Sequence, residues 1–417
     1  MFDRPLPSFI DLAIVGSGPQ ALTLVTHILQ KRQKFRNRFI VLDPSGTWLE
    51  QWRHQFRAQE IPHLRSPAVH HPDPDPYSLR RFAENRSMEL FPPYDLPGTQ
   101  LFEDFCGEVV KKWELTDRVY PGKVSQVLPI QWSQKPRFQI VLTDGSSLIA
   151  RRVVLATGAA VPNIPQWVEE IRTPYPPSSL CHSQQLDLRL IKALSGEDIV
   201  IVGGGLTSAH LAMGALKRGA MVTLVVRRQL RERLFDAEPG WLGPKYLKDF
   251  EAEDCWYSRW EMIKQARDGG SVTPALMLQL RRAARQGKLR ILENTEILGA
   301  LWEDEQWRVR LNGEVSLMFN RIWLGTGTQF NAHQDNLLAD VLRIYPTEII
   351  NGLPVLDSNL RLPGSQCFVM GGLAALILGP VARNLSGGRM AGDRLVKAII
   401  KPSLTTGFPE GLRNGVS

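Results

Sequence analysis

The chain has 417 residues, 43% hydrophobic and 22% charged, the proportions of a folded protein with two or three domains rather than a disordered or fibrous one. Its formal net charge is +8, but no DNA- or RNA-reading motif accompanies the excess. No nucleic-acid partner is therefore expected, and the excess is read as a plain basic surface.

The start, Met1-Phe-Asp-Arg-Pro5, is polar and broken by proline, so no signal peptide is expected. The longest apolar run, Cys367 to Ala382, is shorter than the ~20 residues of a spanning helix. No transmembrane segment is expected, and the cytoplasm is the expected location.

The first element is a short apolar strand, Asp11 to Val15. The turn Gly16-Ser-Gly18-Pro19-Gln20-Ala21 follows, then an apolar helix to Gln30 and a second strand, Phe39 to Leu42, ending on Asp43. Glycines suit such a turn because it is tight and the backbone must approach a pyrophosphate, whose charge then sits at a helix N-terminus. An acid at the end of the second strand accepts both ribose hydroxyls. Gly16, Gly18, Pro19, Gln20 and Asp43 thus mark a first dinucleotide site, assigned to FAD.

The loop Ile61 to Pro76 gathers His63, His70 and His71. Its spacing of His70, His71, Asp73 and Asp75 matches no zinc or iron pattern, and its prolines keep it extended, so no metal is assigned. The loop is read as lining a flavin or substrate, with a plain surface loop as the alternative. His63, Arg65 and Ser66 are the residues expected nearest the flavin ring and are the candidate catalytic group.

From Val119 to Ile149 the pattern is short strands and turns, with Asp144-Gly145 as a hairpin signal and Val124 counted on the cofactor wall. The strand Arg152 to Leu155 then ends in Ala156-Thr157-Gly158 and is read as a return to the first sheet. After a proline-rich crossover the glycine unit is duplicated. Strand Ile199 to Val202 leads into Gly203-Gly-Gly205-Leu-Thr207-Ser208, a helix closed by Gly219, and a strand from Met221 to Val226 followed by Arg227-Arg228. Arginine at that strand end favours a ribose carrying a 2′-phosphate, so Gly203, Gly205, Thr207, Ser208, Arg227 and Arg228 are assigned to NADPH.

A second Gly-Thr-Gly strand end, Arg321 to Gly327, is expected to lead the chain back to the first domain. The glycine-rich stretch around Gly371, Gly372, Gly379 and Pro380, with a helix from Val381 to Leu395, is expected to face the flavin. Trp241, Trp256, Trp260, Trp302 and Trp307 are read as core or domain-interface residues. The fold class is α/β, with two Rossmann-like dinucleotide-binding domains, the NADPH domain inserted into the FAD domain. The expected boundaries are residues 1–160 and 321–400 for the FAD domain, 161–320 for the NADPH domain, and 401–417 for a C-terminal tail.

Four cysteines, Cys106, Cys181, Cys255 and Cys367, include no close pair. A dithiol redox centre is not expected, which argues against the disulfide reductases that also carry two dinucleotide sites.

These pieces together resemble the two-dinucleotide flavoprotein monooxygenases, and within them the lysine and ornithine N-hydroxylase branch. The particular motifs are Asp43 followed by Trp48 and Trp52, the step Pro76-Tyr77-Ser78-Leu79, and the run from Phe235 to Leu247. The resemblance implies that Trp48 and Trp52 lie at the cofactor. It also implies that NADPH reduces FAD and that molecular oxygen forms a flavin hydroperoxide, which oxidises a heteroatom of a small molecule. In that branch a lysine in the loop before the Pro-Tyr-Ser step helps hold an amino-acid substrate. The loop Ile61 to Pro76 has none, which leaves Arg65 to take a carboxylate or to touch the flavin.

Two other functions stay open on the sequence: an NADPH-dependent flavin reductase or oxidase without oxygen transfer, and a flavin-bearing regulatory protein without turnover.

Overall fold

The computed structural model describes residues 5–158 and 160–400, so the expected tail 401–417 lies outside the described residues. Two parallel-cored sheets organise the chain. The first runs in the order Val119–Pro121, Phe39–Asp43, Phe9–Val15, Ser147–Leu155, Lys135–Leu142, Val124–Trp132, with Cys367–Val369 also paired to Ser147–Leu155. Its centre is fully apolar on both faces (Leu12, Ala13 and Ile14 beside Val153 and Val154 are buried), as a parallel strand covered by helices requires. Helix Pro19–Lys31 buries Ala21 through Leu29 against it and packs on the C-terminal helix Leu385–Ile400. That last helix begins later than the Val381 start expected from sequence, because residues 379–384 form a bend before it.

The second sheet is parallel throughout, in the order Leu180–His182, Arg321–Leu324, Asp198–Val202, Met221–Val225, Leu289–Leu292. Arg321–Leu324 therefore belongs to this sheet and not to the first, as the expected boundary at 320/321 had it. The reason lies in burial: Ile322, Trp323 and Leu324 carry apolar side chains to both faces of the second sheet and are buried there. A three-stranded antiparallel sheet, Ile297 to Phe319, covers one face, with Trp307 at the centre of that packing.

Only after Gly327 does the chain cross. Thr328–Phe330 pairs antiparallel with Ala160–Pro162, so outgoing and returning chains form a two-stranded link. A second correction concerns residues 235–267. They follow the second glycine unit in sequence, yet Ala237, Trp241, Phe250 and Ile263 are buried in the same cluster as the first sheet. Helices Pro244–Ala252 and Trp256–Arg267 thus dock on the first unit although they are inserted in the second. No helix among the described residues is long and apolar enough to cross a membrane.

Candidate functional site

The two glycine turns are built alike. Gly16 has φ +98°, and a Cβ there would lie 2.6 Å from the Ala156 carbonyl oxygen. Gly203 has φ +130°, and a Cβ there would collide with the Gly325 carbonyl. In each unit the strand ending in a threonine–glycine step closes against the turn of its neighbour, and only glycine fits. Neither following helix has a side-chain cap or an acidic residue in its first turn. The N–H groups and positive end of the first are left for an anion, while the start of the second lies against Gly270.

A single cleft of about 1620 Å³ runs between the units. Its wall includes Gly16, Gly18, Pro19, Gln20, Asp43, Trp52, Val124, Ala156, Thr157, Gly158, Gly371 and Gly372 from the first unit, and Thr207 and Gly327 from the second and the link. A Cβ at Gly18 or Gly158 would meet nothing within 4 Å, so the bare backbone there faces open space. That is a cradle a dinucleotide can enter. Asp43 is oriented for it, taking the Ser17 N–H at 3.1 Å and the Ser45 N–H at 3.0 Å.

Several expected site residues lie elsewhere. Trp48 is buried, and its indole N–H donates to the Leu115 carbonyl at 2.9 Å; it belongs to the core because its one polar atom finds a backbone partner there. His63 is outside the cleft wall, its ring stacked on Phe91 with Nδ1 2.9 Å from the Leu64 carbonyl oxygen. Gly379 and Pro380 are also off the wall, and a Cβ at Gly379 would face the Trp241 ring at 3.6 Å. Gly372 reaches the wall, but its missing side chain makes room for the Phe330 ring. Gly203, Gly205, Ser208, Arg227 and Arg228 do not line the cleft. Gly205 is covered by Gly270, whose Cβ would lie 2.6 Å from the Gly205 Cα, while Arg228 pairs with Asp268 at 3.0 Å.

Arg65 and Ser66 do line the cleft, but four of the five N–H groups of the Arg65 guanidinium are engaged. It donates to Asp236 Oδ1 at 2.6 Å, the Leu234 carbonyl at 2.7 Å, the Arg233 carbonyl at 2.6 Å and Ser271 Oγ at 2.8 Å. Arg267 holds the other oxygen of Asp236 at 2.9 Å and the Pro380 carbonyl at 2.7 Å. Burial alone would raise the Asp236 carboxyl, but the charges of Arg267 and Arg65 outweigh it and hold the group below the usual carboxylate range. Arg65 is thus a clasp between the units, and the one N–H it has left is too few for a two-bond grip on a carboxylate ligand.

The histidine loop is mostly structural. His71 is buried and packs edge-on against Phe105. Asp73 accepts from Lys112 at 2.8 Å and Trp113 at 3.1 Å. His70 alone of the pair reaches the cleft wall, and burial pushes its imidazole down to about 4, so it is neutral at ordinary pH. Sequence reasoning missed Gln59, Phe235, Asp236, Phe330 and Arg383, all on the wall. Only the Phe235 to Leu247 run carried a hint of them, as a motif without an assigned role.

Comparison with known proteins agrees with this geometry. A family described as FAD-NAD(P)-binding matches residues 13–160, and one described as L-lysine 6-monooxygenase/L-ornithine 5-monooxygenase matches residues 96–267. L-lysine N6-monooxygenase of Escherichia coli is 30% identical over 150 residues, which are 34% of this chain and 33% of that protein. The match thus spans about a third of the curated relative's length. Among solved structures, the FAD-bound cadaverine monooxygenase of the desferrioxamine pathway from Erwinia amylovora superposes with a TM-score of 0.76 at 15% identity, covering 96% of this chain and 98% of that one. An ornithine N-hydroxylase of Kutzneria, solved with reduced FAD, NADP⁺ and L-ornithine, gives 0.73 at 16% identity over 94% and 99%. Residues 13–267 thus resemble an FAD-NAD(P)-binding family and a lysine/ornithine monooxygenase family, and the chain shares the fold of the solved amine monooxygenases.

Proposed function

We propose that the protein is an FAD- and NADPH-dependent monooxygenase that uses molecular oxygen to hydroxylate the nitrogen of a small amine. The observation that carries this reading is the single cleft in which the FAD-type turn, the start of the second glycine helix and the 235–239 segment face one another. When bound, NADPH supplies a hydride and FAD passes its electrons to oxygen, chemistry that belongs to the cofactors. We assign Gly16, Gly18, Asp43, Val124 and Ala156 to Gly158 to FAD. Thr207 on the wall, with Arg227 and Arg228 at the adjoining strand end, is assigned to NADPH.

The chain's own part is positioning and exclusion of water. Trp52, Phe56, Leu64, Val69, Phe330 and Met370 make an apolar wall, and the Arg65 clasp holds residues 233–236 against it. Neutral His70 adds no positive charge to a wall that must accept an uncharged amine nitrogen for attack. A cytoplasmic location fits a dependence on NADPH.

The test is product analysis. With NADPH, oxygen and a panel of primary amines, at least one amine should yield its hydroxylamine in step with NADPH consumption. If every electron pair appears as hydrogen peroxide for all amines tried, the protein is an oxidase and this reading fails.

A further inference from the structure

The two glycine turns match in backbone and differ in what lies over them. Gly18 and Gly205 are the extended caps of the helices that follow, with ψ −179° and 178°. A Cβ at Gly18 would meet nothing within 4 Å, whereas one at Gly205 would touch the Gly270 Cα at 3.6 Å. A Cβ at Gly270 would in turn lie 2.6 Å from the Gly205 Cα and 3.0 Å from the Gly205 nitrogen. The place where such a turn takes a pyrophosphate is open at the first and filled at the second by the chain itself.

The covering segment is short and bends back on itself. Helix Trp256–Arg267 ends at Asp268, whose φ is +41° and whose N–H donates to the Lys264 carbonyl at 2.7 Å. Gly269 follows at φ +72°. Two left-handed residues in succession fold the chain over the second turn, and glycine carries the latter of them without a Cβ penalty. Beyond Gly270 the chain is fixed again. The Val272 N–H donates to the Arg231 carbonyl at 2.8 Å, the Arg233 N–H donates to the Val272 carbonyl at 3.0 Å, and Ser271 Oγ accepts from Arg65 at 2.8 Å. Gly269-Gly270 is thus a bare span between two anchored ends. Beside it the Asp268 carboxylate lies 3.0 Å from Arg228 and also pairs with Arg231, so an anion of the chain's own stands at an arginine assigned to the 2′-phosphate. These side chains are 30% to 44% exposed, and the pairs hold the segment only weakly.

We propose that residues 268–270 are a built-in stopper on the second dinucleotide turn, which a nicotinamide dinucleotide lifts in order to seat its pyrophosphate. This rests on the placement of NADPH at Thr207, Arg227 and Arg228 and deepens it: the pyrophosphate reaches Gly205 only once the stopper has moved. Binding then carries the cost of a local opening, and the measured affinity is the intrinsic one reduced by the fraction of molecules in which the stopper is lifted. The span that the nucleotide displaces also joins two members of the clasp. Arg267, just before it, holds Asp236 at 2.9 Å, and Ser271, just after it, takes the bond from Arg65. Nucleotide arriving at the second turn is in this way felt at the cleft wall.

The experiment is calorimetric binding of NADP⁺ and NAD⁺ to the FAD-loaded protein, which needs no turnover. Gly270 is not left-handed, so alanine there is opposed only by the Gly205 backbone, which no side-chain rotation can relieve. Gly270→Ala should therefore keep the stopper lifted and tighten both nucleotides about ten-fold at unchanged FAD content, since both carry the pyrophosphate. Hydrogen exchange on the wild type gives a second readout that needs no variant: NADP⁺ should speed exchange at residues 269–271 while slowing it at residues 203–208. Unchanged or weaker binding in Gly270→Ala would overturn the proposal, and so would protection of residues 269–271 by NADP⁺, because the segment would then be a fixed part of the nucleotide site. Either result with NADP⁺ still bound leaves the NADPH placement standing and sinks the stopper alone. No binding of either nucleotide to wild type or variant would remove both.

Discussion

Arg65 and Asp236, 171 residues apart in the chain, meet through a 2.6 Å hydrogen bond that ties the first unit's loop to the segment following the second glycine unit. Arg65 and Arg267 grip opposite oxygens of one carboxylate, and Arg65 also holds two backbone carbonyls.

Removing the clasp should loosen the wall before it unfolds the protein. Arg65→Met leaves Asp236 with Arg267, so the cost should be about 2–3 kcal/mol, at or below the low end for breaking a buried pair, since Asp236 is partly exposed. Urea unfolding measures the loss. The fraction of NADPH electrons released as peroxide should rise in the same variant. An unchanged peroxide fraction would show that the clasp does not seal the site.

Asp268 competes for Arg228, one of the two arginines assigned to the 2′-phosphate, pairing with it at 3.0 Å and also with the neighbouring Arg231. Asp268→Asn should tighten NADPH about five-fold at low salt and leave NADH unchanged, because only the former carries the extra phosphate. Anaerobic titration of flavin reduction reads both. Equal effects on the two nucleotides would remove the 2′-phosphate assignment.

Trp48 and Gly16 should separate core from cofactor. Trp48→Phe loses one buried indole hydrogen bond and should cost about 1–2 kcal/mol at full FAD content. Gly16→Val forces a side chain onto the Ala156 carbonyl at a left-handed φ and should give apoprotein. Flavin absorbance per protein decides both, and FAD loss in Trp48→Phe would return that residue to the cofactor.

Acid should destabilise the fold earlier than its carboxylates alone would make it. Burial lowers His27, His70, His71 and His210 from 6.5 to about 4. The folded state therefore refuses protons that the unfolded chain accepts. Their contribution is fully present above pH 6.5 and is lost as the pH falls toward about 4. Urea midpoints should drop through that window, and the slope should be shallower in His71→Gln. A flat profile from pH 7 to 5 would contradict the burial of these rings.

What was legible in the sequence follows from how local each signal is. Both glycine turns, their strands and the terminal Asp43 are written within short stretches, because tight turns and helix starts are local chemistry. The fate of Arg65 was not, since its partners lie about 170 residues away. Trp48 misled for a related reason: an aromatic beside a cofactor motif looks the same whether its indole faces a ligand or the Leu115 carbonyl. The docking of Trp241 and Phe250 on the first core crosses the expected boundary because burial there is decided by tertiary contact. Arg383 was passed over inside an apolar run, where one arginine gave no pattern of its own.

The measurement that tests the central claim most directly is rapid mixing of the anaerobically NADPH-reduced protein with oxygenated buffer, with and without candidate amines, while flavin absorbance is recorded. The expected result is reduction by NADPH, then a transient species distinct from oxidised and reduced flavin that decays faster with the amine that is hydroxylated. Direct reoxidation with no such species under any of these conditions, or no reduction by NADPH at all, would contradict it.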